Sequence, residues 1–131
     1  MHGVEAGLIA HPTQGLSAWL NYTNLRAIDE LTGLNLARRP HVTANAGLTW
    51  SSQSGSSLGA SYGYIGARFD DAGNFTPLNS AENVSLYASY ALSHELQLLA
   101  HLDNLFKNRS EPVAGYGYMG EAIYAGVRLS L

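Results

Sequence analysis

The sequence predicts an all-β fold, an antiparallel, up-and-down segment of a transmembrane β-barrel, and three observations lead to this prediction. Charged residues make up only 13% of the 131 residues, about half the usual share for a soluble domain. No stretch approaches the ~18 consecutive apolar residues of a membrane helix. Apolar residues instead recur at every second position, which is how a membrane β-barrel distributes them.

The alternation is clearest in three segments. In residues 42–50 the even positions carry Val, Ala, Leu and Trp, and the odd positions carry Thr, Asn and Gly. Residues 84–92 and 123–131 repeat the pattern. Successive side chains of a strand point to opposite faces, so each segment has one apolar face and one more polar face.

This pattern predicts about seven strands along the chain. They lie at roughly 3–12, 16–26, 41–52, 57–70, 81–93, 96–106 and 122–131. Their lengths are close to the ~9–11 residues with which a tilted strand crosses a bilayer.

The connections between these strands alternate in length. Short polar turns are predicted at 13–15, 53–55 and 93–95, and long loops at 27–40, 71–80 and 107–121. Short periplasmic turns on one side and long external loops on the other are typical of outer-membrane barrels. We therefore expect a bacterial outer-membrane location, with outer-membrane lipid in contact with the apolar face.

The second face of the strands separates this hypothesis from a soluble β-sandwich or a lipocalin-like barrel. A soluble sheet would carry Lys, Glu and Arg on that face. Here it carries mainly Ser, Thr, Asn, Gly and a few Tyr, with Glu5, Arg128 and the His101/Asp103 pair as exceptions. Small neutral polar groups favour a wall that lines a shared interior.

The last eight residues carry a further pattern. They read polar, any, Gly, apolar, any, apolar, any, apolar, with Tyr124, Gly126, Val127, Leu129 and Leu131 at the defining positions. This resembles the C-terminal signal by which barrel-assembly machinery recognises its clients through strand addition. Bacterial signals more often end in Phe, and an ordinary amphipathic strand is the alternative interpretation.

Several segments, in order, resemble the late barrel strands of TonB-dependent receptors. They are Gly-Leu-Ser-Ala-Trp-Leu-Asn-Tyr-Thr at 15–23, Arg-Ala-Ile-Asp at 26–29, Thr-Gly at 32–33, Leu-Ala-Arg-Arg-Pro-His at 36–41, Leu-Asp-Asn-Leu-Phe at 102–106 and Val-Ala-Gly-Tyr at 113–116. The resemblance runs from about residue 3 to 131. Met-Gly-Glu at 119–121 departs from the Pro-Gly-Arg that the family often has before its last strand.

The resemblance implies a 22-stranded barrel plugged by an N-terminal domain. In that family the plug touches the energy-transducing protein of the inner membrane, and neither plug nor contact box is present in residues 1–131. Seven strands are an odd number and leave two open edges, which lipid does not tolerate. We expect residues 1–131 to be the C-terminal part of a barrel domain whose remaining strands and plug complete it, or a chain that pairs with copies of itself.

The sequence offers no catalytic residue and no cofactor or metal site. His101 and Asp103 share a strand face, so they form either a hydrogen-bonded pair in the lumen or half of a metal site whose other ligands are not evident. No nucleophile-elbow sequence supports a hydrolase, and the Gly-Tyr-Gly at 115–117 is not followed by a helix. A net charge of −3 and the lack of a basic cluster beyond Arg38 and Arg39 argue against nucleic acid.

Five loop residues are candidates for ligand contact at the outer mouth: Arg38, Arg39, Arg109, Tyr116 and Tyr118. Arg38 and Arg39 could meet a lipopolysaccharide phosphate or an anionic chelate. The alternatives are an ion pair with Asp29 or Glu30 and, for the last loop, simple solvation.

Three hypotheses for function follow. The first is import, by a TonB-dependent receptor, of a bulky nutrient such as a ferric siderophore or a cobalamin. The second is a small outer-membrane barrel or oligomer that acts as a porin, adhesin or anchor. The third is a soluble β-barrel that binds a small apolar ligand.

Overall fold

The computed structural model describes residues 1–130, which form nine β-strands and no helix. They are β1 (His2–Thr13), β2 (Leu16–Arg26), β3 (Val42–Ser51), β4 (Ser57–Ile65), β5 (Arg68–Phe69), β6 (Pro77–Leu78), β7 (Ala81–Ala91), β8 (Leu96–Asp103) and β9 (Ala122–Leu129). Within these residues no helix is long and apolar enough to cross a membrane.

The seven long strands form one antiparallel sheet in the order β1-β2-β3-β4-β7-β8-β9. Each strand pairs with the next long strand along the chain. The predicted up-and-down, seven-stranded topology is confirmed. The two-residue strands β5 and β6 pair only with each other and form a small hairpin beyond the end of β4.

The pairing register places most of the large apolar side chains of the long strands on one face of the sheet. Leu16 lies opposite Trp50, Trp50 opposite Leu58, and Leu58 opposite Ala88. A slip of one residue would move a strand's apolar set to the other face. The register therefore builds one continuous apolar surface across seven strands.

That apolar surface has no protein packed against it. Leu58 and Val127 are 58% and 66% exposed, and the buried apolar side chains among residues 1–130 are Ala27 and Leu78, both outside the long strands. A β-sandwich would cover this face with a second large sheet. An exposed apolar face without a core is what a sheet with one face against lipid requires.

The opposite face is built from small polar residues and from two aromatic rings that lie over glycines. The Trp19 indole covers Gly47 on β3, and the Tyr87 ring covers Gly59 on β4. The Tyr87 hydroxyl is hydrogen-bonded to the Thr49 hydroxyl. A side chain at either glycine would collide with the ring, so these pairs fix the packing of the inner wall.

Two strands end three or more residues before their predicted ends, and each has a local cause. The fourth strand, predicted to reach residue 70, ends at Ile65, because its partner β3 begins at Val42 and the Gly66 N–H makes the last bond to the Val42 carbonyl at 2.8 Å. The sixth, predicted to reach residue 106, ends at Asp103, because Asn104 turns the chain with a φ of 52°. The loop predicted at 71–80 also contains β6.

Candidate functional site

The inner face carries a hydrogen-bonded chain of side chains on β7 and β8. The Ser85 hydroxyl donates to an Asp103 carboxylate oxygen at 2.7 Å, and His101 Nε2 lies 3.1 Å from the same oxygen. Asn83 Nδ2 donates to the Ser85 hydroxyl at 3.4 Å. The serine is buried, so this chain holds the two strands together on the lumenal side.

His101 and Asp103 thus form the hydrogen-bonded pair that was one of their two predicted roles. The Ser85 hydroxyl donates to Asp103 and not to the histidine. The Tyr124 ring lies 6.0 Å from the His101 ring, centroid to centroid. No group of three or more metal-ligating side chains occurs among residues 1–130.

Asn104 closes the end of β8 with four hydrogen bonds. Its backbone N–H donates to Asn83 Oδ1 at 3.0 Å, and its Oδ1 accepts from the Asn108 N–H at 2.8 Å. Its Nδ2 donates to the carbonyls of Asn108 and Met119 at 3.0 and 2.8 Å. Asn104 is only 7% exposed, so this side chain sets the path of the whole last loop.

The three long connections lie at the same end of the sheet. We call residues 27–41 loop A, residues 66–80 loop B and residues 104–121 loop C. Loops A and B are joined by Arg38, whose Nε lies 2.6 Å from Asp70 Oδ1. They are also joined by Asn74, whose amide exchanges bonds of 2.9 and 2.8 Å with the Asn35 backbone.

Loops B and C are joined in the same way. Arg68 Nη2 donates to the Pro112 carbonyl at 3.0 Å, and the Ser110 hydroxyl donates to the Ser80 carbonyl at 2.7 Å. The Ala114 N–H donates to Asp70 Oδ2 at 3.3 Å. Loop B therefore bonds to both of its neighbours.

Asp71, the residue after Asp70, organises a tight turn within loop B. Its carboxylate accepts the N–H of Phe75 at 3.1 Å and the N–H of Thr76 at 2.6 Å. The Phe75 N–H, followed by that of Thr76, lowers the pKa of the Asp71 carboxyl below its ordinary value. The turn thus favours the ionised form of this carboxylate.

A cavity of about 460 Å³ lies between loop C and the inner wall. The wall contributes Asn45, Asn83 and Asp103, and loop C contributes Ser110 and Tyr118, among others. The lining combines amide and hydroxyl groups with apolar side chains such as Ile65, Pro112 and Met119. Loop and wall side chains thus face a common space at the outer mouth.

The five predicted contact residues are not gathered into one site. Arg38 pairs with Asp70, so its expected pairing with Asp29 or Glu30 was wrong. Asp29 instead accepts the Leu31 N–H at 2.8 Å within its own turn.

The other four differ in their surroundings. The Arg109 guanidinium lies 6.0 Å from the Tyr118 ring centroid, so loop C brings these two together. Tyr116 is 69% exposed, and Arg39 is also exposed. Their role in binding a ligand stays a prediction.

The predicted assembly signal falls largely on β9. Val127 and Leu129 belong to the apolar face, opposite Leu98 and Leu96 of β8. Tyr124 and Gly126 are on the inner face, opposite His101 and Leu99. Leu131, the last position of the signal, lies outside the described residues.

The sequence did not single out Asp70, Arg68, Asn74 or Asn104, which organise the loops. Asn104 had a signal, because it is the Asn of the Asn-Leu-Phe element at 104–106. The other three form bonds to residues 32 to 44 positions away along the chain. No local sequence pattern indicates such distant partners.

A single antiparallel sheet with a bare apolar face, a polar inner face and long loops at one end defines the wall of a membrane β-barrel. The family model described as TonB dependent receptor-like, beta-barrel matches residues 1–105. The chain therefore belongs to the TonB-dependent receptor β-barrel family. This family comprises outer-membrane receptors and transporters of Gram-negative bacteria rather than enzymes.

Solved structures agree with this assignment. A ferric enterobactin receptor variant (PfeA) from Pseudomonas aeruginosa matches with a TM-score of 0.80 and 25% identity, over 98% of this chain and 22% of that chain. A second variant of the same receptor, in complex with enterobactin, matches with a TM-score of 0.76 and 25% identity, over 97% and 22%.

This chain thus spans about a fifth of the length of these receptors. A search of curated proteins finds no match.

Proposed function

We propose that residues 1–131 are the C-terminal part of the barrel of an outer-membrane receptor that imports a bulky, scarce nutrient, such as a ferric siderophore or a cobalamin. The observation that carries the proposal is the family match over residues 1–105, together with the likeness to receptors whose structures include one bound to enterobactin. In this proposal the chain supplies wall and mouth, and performs no catalysis.

The two open edges of the sheet determine the partners that we propose. β1 and β9 each pair with a strand on one side only, and unpaired backbone groups are costly in lipid. The remaining strands of the receptor would pair with these edges, and its plug would fill the lumen against the polar face. The plug would in turn receive energy from the inner-membrane protein that couples to receptors of this family.

Uptake by whole cells tests the transport proposal. Cells with and without the full-length gene product would be supplied with radiolabelled ferric enterobactin, other ferric siderophores and cobalamin. We expect accumulation of at least one of these ligands to require the gene product, and to stop when the inner-membrane energy-transducing protein is deleted. Uptake that continues without that protein would contradict the proposal and indicate a passive pore.

We also propose that β9 serves as the recognition strand for the barrel-assembly machinery. Its alternating side chains present Val127 and Leu129 on the lipid face. Strand addition to the assembly machinery would place such alternate side chains in its pockets. Replacing both with Asn in the full-length gene product is expected to reduce its amount in the outer membrane several-fold, measured by immunoblot of membrane fractions. Arg128→Asn, on the inner face of the same strand, is the matched control, and an equal loss there would contradict the proposal.

A further inference from the structure

Asp70 lies where the three outer loops meet. Its Oδ1 is 2.6 Å from Arg38 Nε in loop A, and its Oδ2 accepts the N–H of Ala114 in loop C at 3.3 Å. Its own N–H donates to the Thr76 carbonyl at 2.9 Å within loop B. The Asp70 side chain is only 15% exposed. One carboxylate therefore contacts two loops while its backbone is fixed by a third.

Within residues 1–130, loops A and C share no direct hydrogen bond, so loop B connects them. The Arg38 N–H donates to the Phe69 carbonyl at 2.7 Å, next to the Asp70 contact. Arg68, on the other side of Phe69, donates to loop C through Nη2. Of three consecutive residues, Arg68 thus bonds to loop C, Phe69 to loop A, and Asp70 to both.

The closed arrangement of the loops contains one unfavourable group. Arg68 Nη1 is buried and has no hydrogen-bond partner among the described residues. A buried donor without a partner lowers stability, and exposure to water would restore its hydrogen bonds. The contact between loops B and C therefore leaves one arginine donor without a protein partner among the described residues.

We propose that Asp70 is a latch that couples loops A and C through loop B, so that the three loops open and close over the lumenal mouth as one lid. Loop C forms the outer wall of the cavity described above, and Asn45, Asn83 and Asp103 form the inner wall. Movement of the lid would therefore open this cavity. The part of this proposal that concerns ligand capture rests on the proposed transport function.

Hydrogen exchange of the full-length gene product in lipid nanodiscs, followed by mass spectrometry, tests the coupling. Arg38→Gln removes a contact between loops A and B and alters no contact of loop C. If the loops form one lid, exchange in peptides covering residues 111–116 of loop C will accelerate about 2- to 10-fold, as expected for loss of one or two hydrogen bonds. Unchanged exchange in these peptides, with acceleration confined to loop A, would overturn the proposal.

Lys107→Gln is the matched control, because it also removes one positive charge and one ion pair. Lys107 Nζ lies 2.9 Å from Glu121 at the base of loop C, with both side chains more than half exposed. We expect no change in loop A. Equal acceleration of loop A by Lys107→Gln would show that the effect is unspecific, and would also overturn the proposal.

Asp70→Asn provides a second variant, in which the altered residue lies in loop B and not in loop A. It weakens the contacts to loops A and C together, and the coupled lid predicts faster exchange in both. Acceleration in loop B alone would count against the latch. Hydrogen exchange is measured without transport, so the two proposals can fail separately. Uncoupled loops in a receptor that still imports its ligand would refute the latch only. Coupled loops in a passive pore would refute the proposed function only.

Discussion

At the scale of single residues, Asn104 shows how one side chain directs a long loop. A positive φ is uncommon for a residue other than glycine, and Asn tolerates it better than most. At Asn104 the φ of 52° brings the amide into the loop, where it bonds to Asn108 and Met119. Glycine would adopt the same backbone angle but would supply none of the side-chain bonds.

This argument predicts the order of two substitutions. Asn104→Gly is expected to destabilise loop C by about 1–3 kcal/mol, because buried backbone groups lose their partners. Asn104→Ala is expected to cost about 1 kcal/mol more, because it adds strain at positive φ. Protease cleavage rates within residues 104–121 of the full-length gene product would measure both effects. Equal cleavage of the Ala variant and the unaltered protein would contradict this account.

At the scale of elements, the strands were predictable and the contacts between loops were not. The predicted second strand, 16–26, coincides with β2 (Leu16–Arg26) because its alternation and its flanking turn are both local signals. The Arg38 partner could not be found in this way. Asp29 and Glu30 are close in sequence, but the actual partner, Asp70, is 32 residues away and is placed by the β5–β6 hairpin.

The same limit applies to the ends of strands. The fourth strand was predicted to run past Ile65, but a strand needs a partner, and β3 does not extend beyond Val42 in that direction. The inner face was recognisable as small and polar, whereas the pairing of Tyr87 with Gly59 depended on the register of β4 and β7. The local sequence thus indicates which face of a strand is polar, whereas the contacts between strands depend on their pairing register.

At the scale of the whole molecule, the two faces of the sheet should respond differently to charge. Ala46 is on the apolar face of β3, between Leu20 and Tyr62, whereas Asn21 is on the inner face at nearly the same height, opposite Asn45. An arginine at the middle of a lipid face costs roughly 2–4 kcal/mol, and lumenal substitutions are tolerated.

We therefore expect Ala46→Arg to lower the stability of the full-length barrel by roughly 2–4 kcal/mol, and Asn21→Arg to have little effect. The measurement is the denaturant midpoint of the barrel refolded into lipid vesicles. A larger loss for Asn21→Arg than for Ala46→Arg would mean that the faces have been assigned the wrong way round.

The absence of a direct hydrogen bond between loops A and C, within residues 1–130, has a consequence for recognition at the cell surface. Leu31, at the tip of loop A, is 97% exposed, so it is accessible to an antibody or a bacteriophage. Under the proposed coupling, a binder that immobilises loop A would also restrain, through loop B, the loop that covers the cavity. Such a binder would then limit access to the cavity without itself occupying it.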